Sequence, residues 1–254
     1  MKKETPFIEV QDLHQRFGDH HVLKGVTTHI NKGETVVLLG GSGGGKSVLV
    51  KHFVGLLSPY EGKVIVEGED ISDMNERQLG KVRRKVAMMF QNGALFDFLT
   101  VGQNIAFPLR ERGLKDEAEI ERRVIETLEI VRLPGQEDKM PADLSGGMRK
   151  RVALARAIVD KATCVLYDEP HAGLDPITAD SIDHLIKDLQ RDHGMTNIII
   201  THEMRSVFRI ADRVIFLKEG NVYWEGTPQE MKDSGDPELT NFIEGRAEPE
   251  GACY

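Results

Sequence analysis

A glycine-rich segment that ends in lysine and serine is the first part of the sequence that could do chemistry. Residues 40–47 read Gly-Gly-Ser-Gly-Gly-Gly-Lys-Ser and fit the pattern G-x-x-x-x-G-K-[ST] between an apolar run and a helical pattern. Glycines let backbone N–H groups curl around an anion, and a helix that starts there points its positive end at it. We therefore expect a site for nucleotide phosphates; a flexible glycine turn that precedes a lysine is the alternative. The expected phosphate-binding residues are Gly40, Gly41, Ser42, Gly43, Gly44, Gly45, Lys46, Ser47 and Val48.

Two pairs of polar side chains have separate roles in this interpretation. Lys46 supplies a point charge to the β- and γ-phosphates, and the Ser47 hydroxyl is a ligand for Mg²⁺. Asp168 and Glu169 follow the apolar run 164–167, and ligands bind at the carboxyl ends of such strands. Asp168 is expected to hold Mg²⁺ through water, and Glu169 to orient or deprotonate the attacking water. The alternative is that both carboxylates face solvent at a strand end.

A second candidate anion site lies at residues 144–148, which read Leu-Ser-Gly-Gly-Met. Ser145 predicts a helix N-cap, and the two glycines allow a ligand to approach the start of that helix closely. The alternative is an ordinary capped helix with a basic, solvated first turn. His202 follows the apolar run 197–200, where a histidine taken alone is an ordinary loop residue.

Composition limits the classes of function. The chain has 254 residues, of which 40% are hydrophobic and 29% charged, with a formal net charge of −8 and a pI near 5.6. This acidity argues against nucleic acid as a partner, because neutralising phosphates needs a basic face. No apolar run approaches the roughly 18–20 residues that span a bilayer, and the N-terminus lacks the apolar stretch of a signal peptide. Cys164 lies in an apolar run and Cys253 in the tail. This pattern gives no indication of a disulfide framework and is typical of a protein in the reducing cytosol.

Periodicity predicts an α/β scaffold with a mainly parallel sheet, because apolar runs alternate with helical patterns. The predicted strands are 7–10, 22–30, 35–39, 63–67, 86–90, 164–167, 197–200, 214–217 and 222–224, the last pairing with its predecessor across residues 219–221. The predicted helices are 46–57, 116–131, with Asp116 and Glu119 as a capping-box pair, and 178–193, ended by Gly194.

We expect a single domain over residues 1–254. Its core comprises residues 1–91 and 161–227. Residues of about 92–160 show helical patterns without a strong strand signal, which indicates a helical subdomain inserted into the sheet. The polar tail, 228–254, contains prolines and is expected to cover a surface.

The chain resembles the ABC ATPases over residues 7–227, because residues 144–148 match the signature motif of that family. Gln91 is similar to the Q-loop glutamine, residues 173–175 to the D-loop and His202 to the switch histidine. Phe17 is similar to the aromatic residue that stacks on adenine, although tyrosine is commoner there and a core or hairpin aromatic is the alternative. The resemblance implies a P-loop NTPase fold of the ABC type, with a parallel core, an antiparallel β subdomain and the helical insertion.

ABC ATPases close head to tail around two ATP molecules, so the resemblance implies an ATPase that uses ATP and Mg²⁺ as a dimer of this chain. It implies that the signature residues contact the γ-phosphate bound by the partner subunit, and that Gln91 senses Mg²⁺ and water and relays to a membrane protein. The implied catalytic residues are Lys46, Glu169 and His202. The implied contacts with nucleotide or Mg²⁺ outside the phosphate loop are Phe17, Gln91, Ser145, Gly146, Gly147, Asp168 and Asp175.

Finer resemblances indicate the kind of ABC ATPase. Residues 45–52, 91–96 and 104–110 look like the Mla/Mce-associated ATPases, which power phospholipid or other lipid trafficking between bacterial envelope membranes. Glu203 and Met204 are instead similar to amino-acid importers, which makes an importer ATPase the alternative. A soluble ABC protein without a permease is a further alternative, disfavoured by the acidic pI and the single set of nucleotide motifs.

The resemblance also implies partners and a location. A permease would contact residues 91–112, which places the chain at the cytoplasmic face of the inner membrane as a peripheral subunit. The apolar groove for that permease, or else the core of the helical insertion, would be formed by Phe96, Phe98, Leu99 and Phe107.

Two further parts of the chain have possible roles at interfaces. Small regulatory or lipid-binding subunits are candidate partners, and residues 236–248 could recruit them or support dimerisation. His171 lies near the dimer seam in the family's arrangement, where a titrating group could make closure sensitive to pH. We expect it instead to be a passive loop histidine.

Overall fold

Two sheets organise the protein, and the computed structural model describes residues 6–91 and 93–246. The strands are β1 Ile8–Phe17, β2 His20–Ile30, β3 Thr35–Leu39, β4 Glu61–Val66, β5 Glu69–Asp70, β6 Val86–Met89, β7 Cys164–Asp168, β8 Thr196–Ile200, β9 Arg213–Lys218 and β10 Asn221–Gly226. The larger sheet has the order β10–β9–β3–β8–β7–β6, parallel except for β10, and the smaller antiparallel sheet has the order β2–β1–β4–β5. The predicted α/β class is confirmed.

Nine helices surround these sheets in the described residues. They are α1 Lys46–Phe53, α2 Glu76–Lys85, α3 Val101–Glu111, α4 Glu117–Ile130, α5 Gly146–Ile158, α6 Pro176–His193, α7 Met204–Ile210, α8 Pro228–Asp233 and α9 Pro237–Glu244, with a 3₁₀ turn at Pro141–Asp143. The strands β3, β7 and β8 are apolar along nearly their whole length because both faces of the large sheet are covered. Helices pack on one face, and the antiparallel sheet packs on the other together with α1 and α2. Among the described residues, no helix combines the length and apolar character that crossing a bilayer needs.

The chain between β6 and β7 contains α3, α4, the 3₁₀ turn and α5. The apolar faces of these helices join the core on one side of the large sheet, through buried residues such as Ile105, Leu128 and Leu154. The helical character predicted for this stretch is confirmed, while its division from the rest of the chain as a subdomain stays a prediction.

Several predicted boundaries were wrong for local reasons. Strand β1 extends to Phe17, well beyond the predicted 7–10, because a bulged register lets it pair with both β2 and β4. Helix α1 ends at Phe53, since Gly55 adopts φ +63 and stops it. Helix α2 was not predicted. The Asp116 side chain caps α4, but Glu119 binds forward to two arginines and completes no capping box.

The tail after residue 227 does more than cover a surface with polar residues. Its two helices, α8 and α9, bury Met231 and Leu239 fully. Phe242 of α9 packs edge-on against Phe216 of β9, with ring centroids 5.0 Å apart, and lies 6.4 Å from the His202 ring. Residues 247 and 248 of the segment predicted to recruit partners lie outside the described residues.

Candidate functional site

The loop between β3 and α1 has a shape that only glycine allows. At Gly40 φ is +135°, and an added Cβ would lie 2.0 Å from the Leu217 carbonyl oxygen. At Gly45, the N-cap of α1, φ is +98° and a Cβ would lie 2.7 Å from a methyl group of Leu23. The backbone of the loop can therefore approach a ligand closely at the positive end of α1, which is what a phosphate group requires.

Lys46 lies folded over this loop. Its side chain is buried, and Nζ donates to the carbonyl oxygens of Gly40 at 2.6 Å and Gly41 at 2.9 Å. Burial lowers the pKa of Lys46, while the charges of Glu169 and Asp168 act in the opposite direction. The ammonium thus lies between the glycine loop and the two carboxylates, where a phosphate could replace the carbonyl oxygens as its partner.

Phe17 opens a cavity on the other side of the loop. Phe17 lies at the β1–β2 turn and is 48% exposed, so it is not a core residue. The cavity has a volume of about 340 Å³ and is lined by Phe17, His20, Val22, Gly43, Gly44, Gly45, Lys46, Ser47 and Val48. The structure therefore brings the predicted adenine-stacking residue beside the predicted phosphate loop, and the stacking itself stays a prediction.

The ends of β7 and β8 bring the acidic pair and the distant histidine together. Asp168 is the last residue of β7, and Glu169 Oε1 lies 3.2 Å from His202 Nε2. Glu169 adopts φ +48°, a left-handed conformation that is uncommon for a residue with a side chain, and its N–H donates to the Ile200 carbonyl oxygen. Burial raises the pKa of Glu169, the charge of His202 opposes this, and Asp168 reinforces it. A carboxylate with a raised pKa is better matched to accepting a proton from water.

Behind this site lies a buried polar network that the sequence interpretation missed. His171, expected to be a passive loop residue, is buried, with Nε2 2.7 Å from Asp183 Oδ1 and Nδ1 3.4 Å from Thr201 Oγ1. Asp183 is 1% exposed and also accepts hydrogen bonds from Ser206 Oγ at 2.8 Å and from Arg209 at 3.3 Å. The network ties the loop after Glu169 to α6, to α7 and to the residue preceding His202.

We expect Asp183→Ala to destabilise the fold by about 3 kcal/mol, because it leaves several buried donors without their shared acceptor. For a chain of this size that corresponds to a Tm lower by about 6 to 12 °C, measured by thermal denaturation. Asp180→Ala is the matched control, since Asp180 lies on the same helix, is only partly buried and pairs with Arg209 and His184. Equal losses of Tm in the two variants would contradict a structural role for the buried network.

The start of α5 is confirmed as a serine-capped helix. Ser145 Oγ accepts a hydrogen bond from the Met148 N–H at 3.3 Å. A Cβ at Gly147 would lie 2.4 Å from the Thr178 side chain, so the glycine is needed for packing against α6 of the same subunit. Asp175 caps α6, where its carboxylate accepts from Ile177, Thr178 and the Thr178 hydroxyl. Contacts of Ser145, Gly146, Gly147 and Asp175 with nucleotide stay predictions.

Gln91 lies just after β6, beside an apolar groove. The groove has a volume of about 440 Å³, and its apolar lining includes Val54, Leu56, Met88, Phe90, Phe96, Phe107 and Pro108. The Phe96 ring packs against Phe107 at 4.8 Å and against the exposed Phe98 at 5.7 Å. The groove is thus an exposed surface rather than only the core of the helical insertion.

Asn104 of α3 fixes the loop that presents these aromatic rings. Its side chain is fully buried, with Nδ2 donating to the carbonyl oxygens of Phe96, Leu99 and Thr100, and Oδ1 accepting from the Phe96 N–H. Leu99 therefore contributes its backbone to this anchor. A buried amide with all of these bonds holds the loop in one conformation.

A glycine phosphate loop after a parallel strand, with an acidic pair and a histidine at neighbouring strand ends, is the arrangement of a P-loop nucleotide hydrolase. The family model described as "ABC transporter" matches residues 23–172. The chain belongs to the ABC transporter ATP-binding family: it is an ATP-binding, ATP-hydrolysing subunit of an ABC transporter.

Relatives within this family have different names. The chain is 36% identical to the intermembrane phospholipid transport system ATP-binding protein MlaF of Haemophilus influenzae, over 95% of this chain and 91% of that protein. It is 38% identical to the methionine import ATP-binding protein MetN of Brucella abortus, over 97% of this chain and 70% of that protein. Overall identity therefore does not separate lipid transport from amino-acid import.

A solved structure matches the fold. The ATP-binding cassette MJ0796, in a dimeric post-hydrolysis state bound to ADP and phosphate, superimposes with a TM-score of 0.78 at 31% identity. The match covers 87% of this chain and 98% of that one. The sheet, the phosphate loop and the helices between β6 and β7 thus belong to a known ATPase architecture.

Proposed function

We propose that this chain powers a permease for phospholipids or related lipids, acting as a dimer that closes around two ATP molecules. The apolar groove beside Gln91 carries the permease part of the proposal, because Phe90 and Phe107 of its lining are exposed next to Gln91, the residue proposed to sense the nucleotide. A helical segment of a membrane protein, with an apolar face, fits such a groove. The lipid part is supported by the similarity to MlaF along nearly the whole of both chains.

Within each subunit, the residues divide the chemistry of ATP hydrolysis between them. The loop 40–47 binds the phosphates through backbone N–H groups and the Lys46 charge. Ser47, Gln91 and Asp168 would hold Mg²⁺, since hydroxyl, amide and carboxylate oxygens are the ligands that this ion prefers; the ion neutralises phosphate charge when bound. Glu169 orients and deprotonates the attacking water, and His202, 3.2 Å from it, steadies the carboxylate and the γ-phosphate.

Between subunits, the start of α5 provides the second half of each site. Ser145 and Gly147 would contact the γ-phosphate held by the partner subunit, where the positive end of α5 favours an anion. ATP would then stabilise the closed dimer, and loss of the γ-phosphate would release it. MJ0796, a dimer bound to ADP and phosphate, supports this arrangement.

The location follows from the partner. A subunit bound through the groove would lie against the membrane from the cytoplasmic side, without entering the lipid.

The second candidate function is an amino-acid importer ATPase, which the 38% identity to MetN favours.

Phe98 does not line the groove itself, but its exposed ring packs against Phe96 at the edge of the groove. We expect Phe98→Glu to abolish capture of the permease, because a carboxylate at this edge must be desolvated when an apolar helix binds. The tagged chain is purified from membranes in mild detergent, and its partners and bound lipids are identified by mass spectrometry. Phe208→Glu is the matched control, since Phe208 is an exposed phenylalanine on α7, away from the groove lining. ATP affinity of the subunit should be unchanged in both variants.

The same purification decides between the two cargo classes. A co-purified multispanning protein with bound phospholipid, and ATP-dependent transfer of a labelled phospholipid between vesicles, supports the lipid proposal. Co-purification with a solute-binding subunit, and ATPase stimulation by an amino acid, would replace it with the importer. If the Phe98→Glu variant still captures the permease, the groove is not part of the permease interface.

A further inference from the structure

A buried cation on α5 contacts the backbone of two functional segments at once. Lys150 is 7% exposed, and its Nζ donates to the Gln91 carbonyl oxygen and, at 3.3 Å, to the Glu169 carbonyl oxygen. Lysine is almost never this buried unless its charge is compensated. Burial lowers the pKa of Lys150, while the charges of Glu169 and Asp168 oppose that effect. The Lys150 ammonium group therefore interacts favourably with the two carboxylates at the end of β7.

One of the two carbonyl groups that Lys150 binds belongs to Glu169, whose backbone conformation is unfavourable for a residue with a side chain. Glu169 has φ +48°, and such a conformation persists only where surrounding contacts enforce it. Its N–H is held by the Ile200 carbonyl oxygen at 2.9 Å, and its own carbonyl oxygen accepts from Lys150 and from the Ala172 N–H at 3.2 Å. The direction of the Glu169 side chain depends on this backbone, so the Lys150 contact helps to aim the carboxylate.

The position of Lys150 along α5 also connects this contact to the start of the helix. It lies three residues after Gly147, about 4.5 Å further along the helix axis, and both residues are on the buried side of α5. A helix is rigid over one turn, so a displacement of its first residues moves the ammonium as well. The ammonium in turn contacts the segment carrying Gln91, next to the groove, and the segment carrying Glu169.

We propose that Lys150 is a positioning residue that couples the start of α5 to the catalytic carboxylate of the same subunit. This inference rests on the proposed closed dimer. In that dimer the start of α5 contacts ATP held by the partner, whereas Glu169 acts on ATP held by its own phosphate loop. One helix would thus make hydrolysis in one site depend on occupation of the other, and Lys150 provides the link.

The test separates positioning of Glu169 from closure of the dimer. In the full chain, Lys150→Met removes the donor and keeps the length of the side chain. We expect kcat for ATP to fall by about tenfold or more, with the KM for ATP changed by less than about twofold. Lys150→Arg, which keeps the charge and the donors, should restore part of kcat. The exposed Lys187→Met is the matched control and should leave kcat unchanged.

Dimer closure distinguishes a positioning role of Lys150 from a merely structural one, because loss of a structural contact would also impair closure. In a Glu169→Gln background, Lys150→Met should still form the ATP-dependent dimer, because the proposed contact acts on the base after closure. Wild-type kcat in Lys150→Met would overturn the proposal, as would loss of closure together with hydrolysis. If Lys150→Met does not fold, Lys150→Gln and Lys150→Arg are compared, and equal kcat values in those two overturn it.

These outcomes are distinct from a failure of the lipid-permease function. A chain that captures no lipid or no permease would still hydrolyse ATP in solution. The comparison of kcat values among the Lys150 variants therefore remains decisive in that case.

Discussion

Replacing Lys46 by alanine should weaken ATP binding by about 30- to 140-fold and reduce hydrolysis below detection. A charge-assisted contact between an ammonium group and a phosphate in a partly enclosed site contributes about 2–3 kcal/mol, and about 1.4 kcal/mol corresponds to a factor of ten in Kd. Lys46 is the only one of the eight loop residues 40–47 with a positively charged side chain, and it is already held over the glycines by two carbonyl oxygens. Its loss also removes one of the two lysine charges that act on Asp168 and Glu169.

Binding is measured with a fluorescent ATP analogue on the purified chain, and hydrolysis by phosphate release. Lys187→Ala, on the exposed face of α6, is the control for loss of a lysine. Because Lys46 also holds the loop through the Gly40 and Gly41 carbonyl oxygens, Tm is recorded for each variant, so that weak binding by a folded protein is distinguished from unfolding. If the Lys46→Ala variant is folded and its Kd for ATP is unchanged, the loop is not part of the nucleotide site.

The parts of the site that could be predicted from the sequence are those determined by local geometry. The loop 40–47 needs glycine where φ is positive and where Leu217 and Leu23 approach, so its residue types reveal it directly. Asp168 and Glu169 follow an unbroken apolar run, and such runs end at the sheet edge where ligands bind. Ser145 was identifiable because an N-cap depends on its own helix and nothing more distant.

Contacts between residues far apart in sequence were not predictable in the same way. Lys150 was not singled out from the sequence, and a basic, solvated first turn of its helix was only the alternative to an anion site. It nevertheless follows Gly147 by three residues and precedes Leu154 by four, which places it on the buried face of α5. Asp183 likewise lies beside Ile182 within the apolar stripe of α6, a position that signals a buried partner. Its partner, His171, could not be identified without the fold.

Helix α2 shows how a signal can be present and still be overlooked. Its sequence is almost wholly polar, and Leu79 and Val82 are its buried residues, so apolar periodicity is weak. Asn75 and Gln78 nevertheless form a complete capping box, with both reciprocal hydrogen bonds. Arg83 then ties the helix to the carbonyl oxygens of Val54 and Gly55. Caps therefore predict this helix better than its hydrophobic pattern does.

Glu169→Gln should retain ATP binding while hydrolysis slows by about a hundredfold or more, since a positioned general base contributes at least that factor. Glutamine keeps the size of the side chain and a hydrogen-bonding group near His202, but it cannot accept the proton of the attacking water. With ATP and Mg²⁺ bound and unable to react, the variant should accumulate as a closed dimer. Size-exclusion chromatography with ATP should then show twice the 28.4 kDa mass of the monomer.

Adding Ser145→Arg to Glu169→Gln tests whether closure depends on the start of α5. A bulky side chain at the N-cap removes the capping hydroxyl and blocks access to the positive end of the helix, while the phosphate loop of the same subunit is untouched. The double variant should bind ATP as a monomer. A dimer that still forms would show that α5 does not contact the partner's nucleotide, and normal turnover by Glu169→Gln alone would show that another group activates the water.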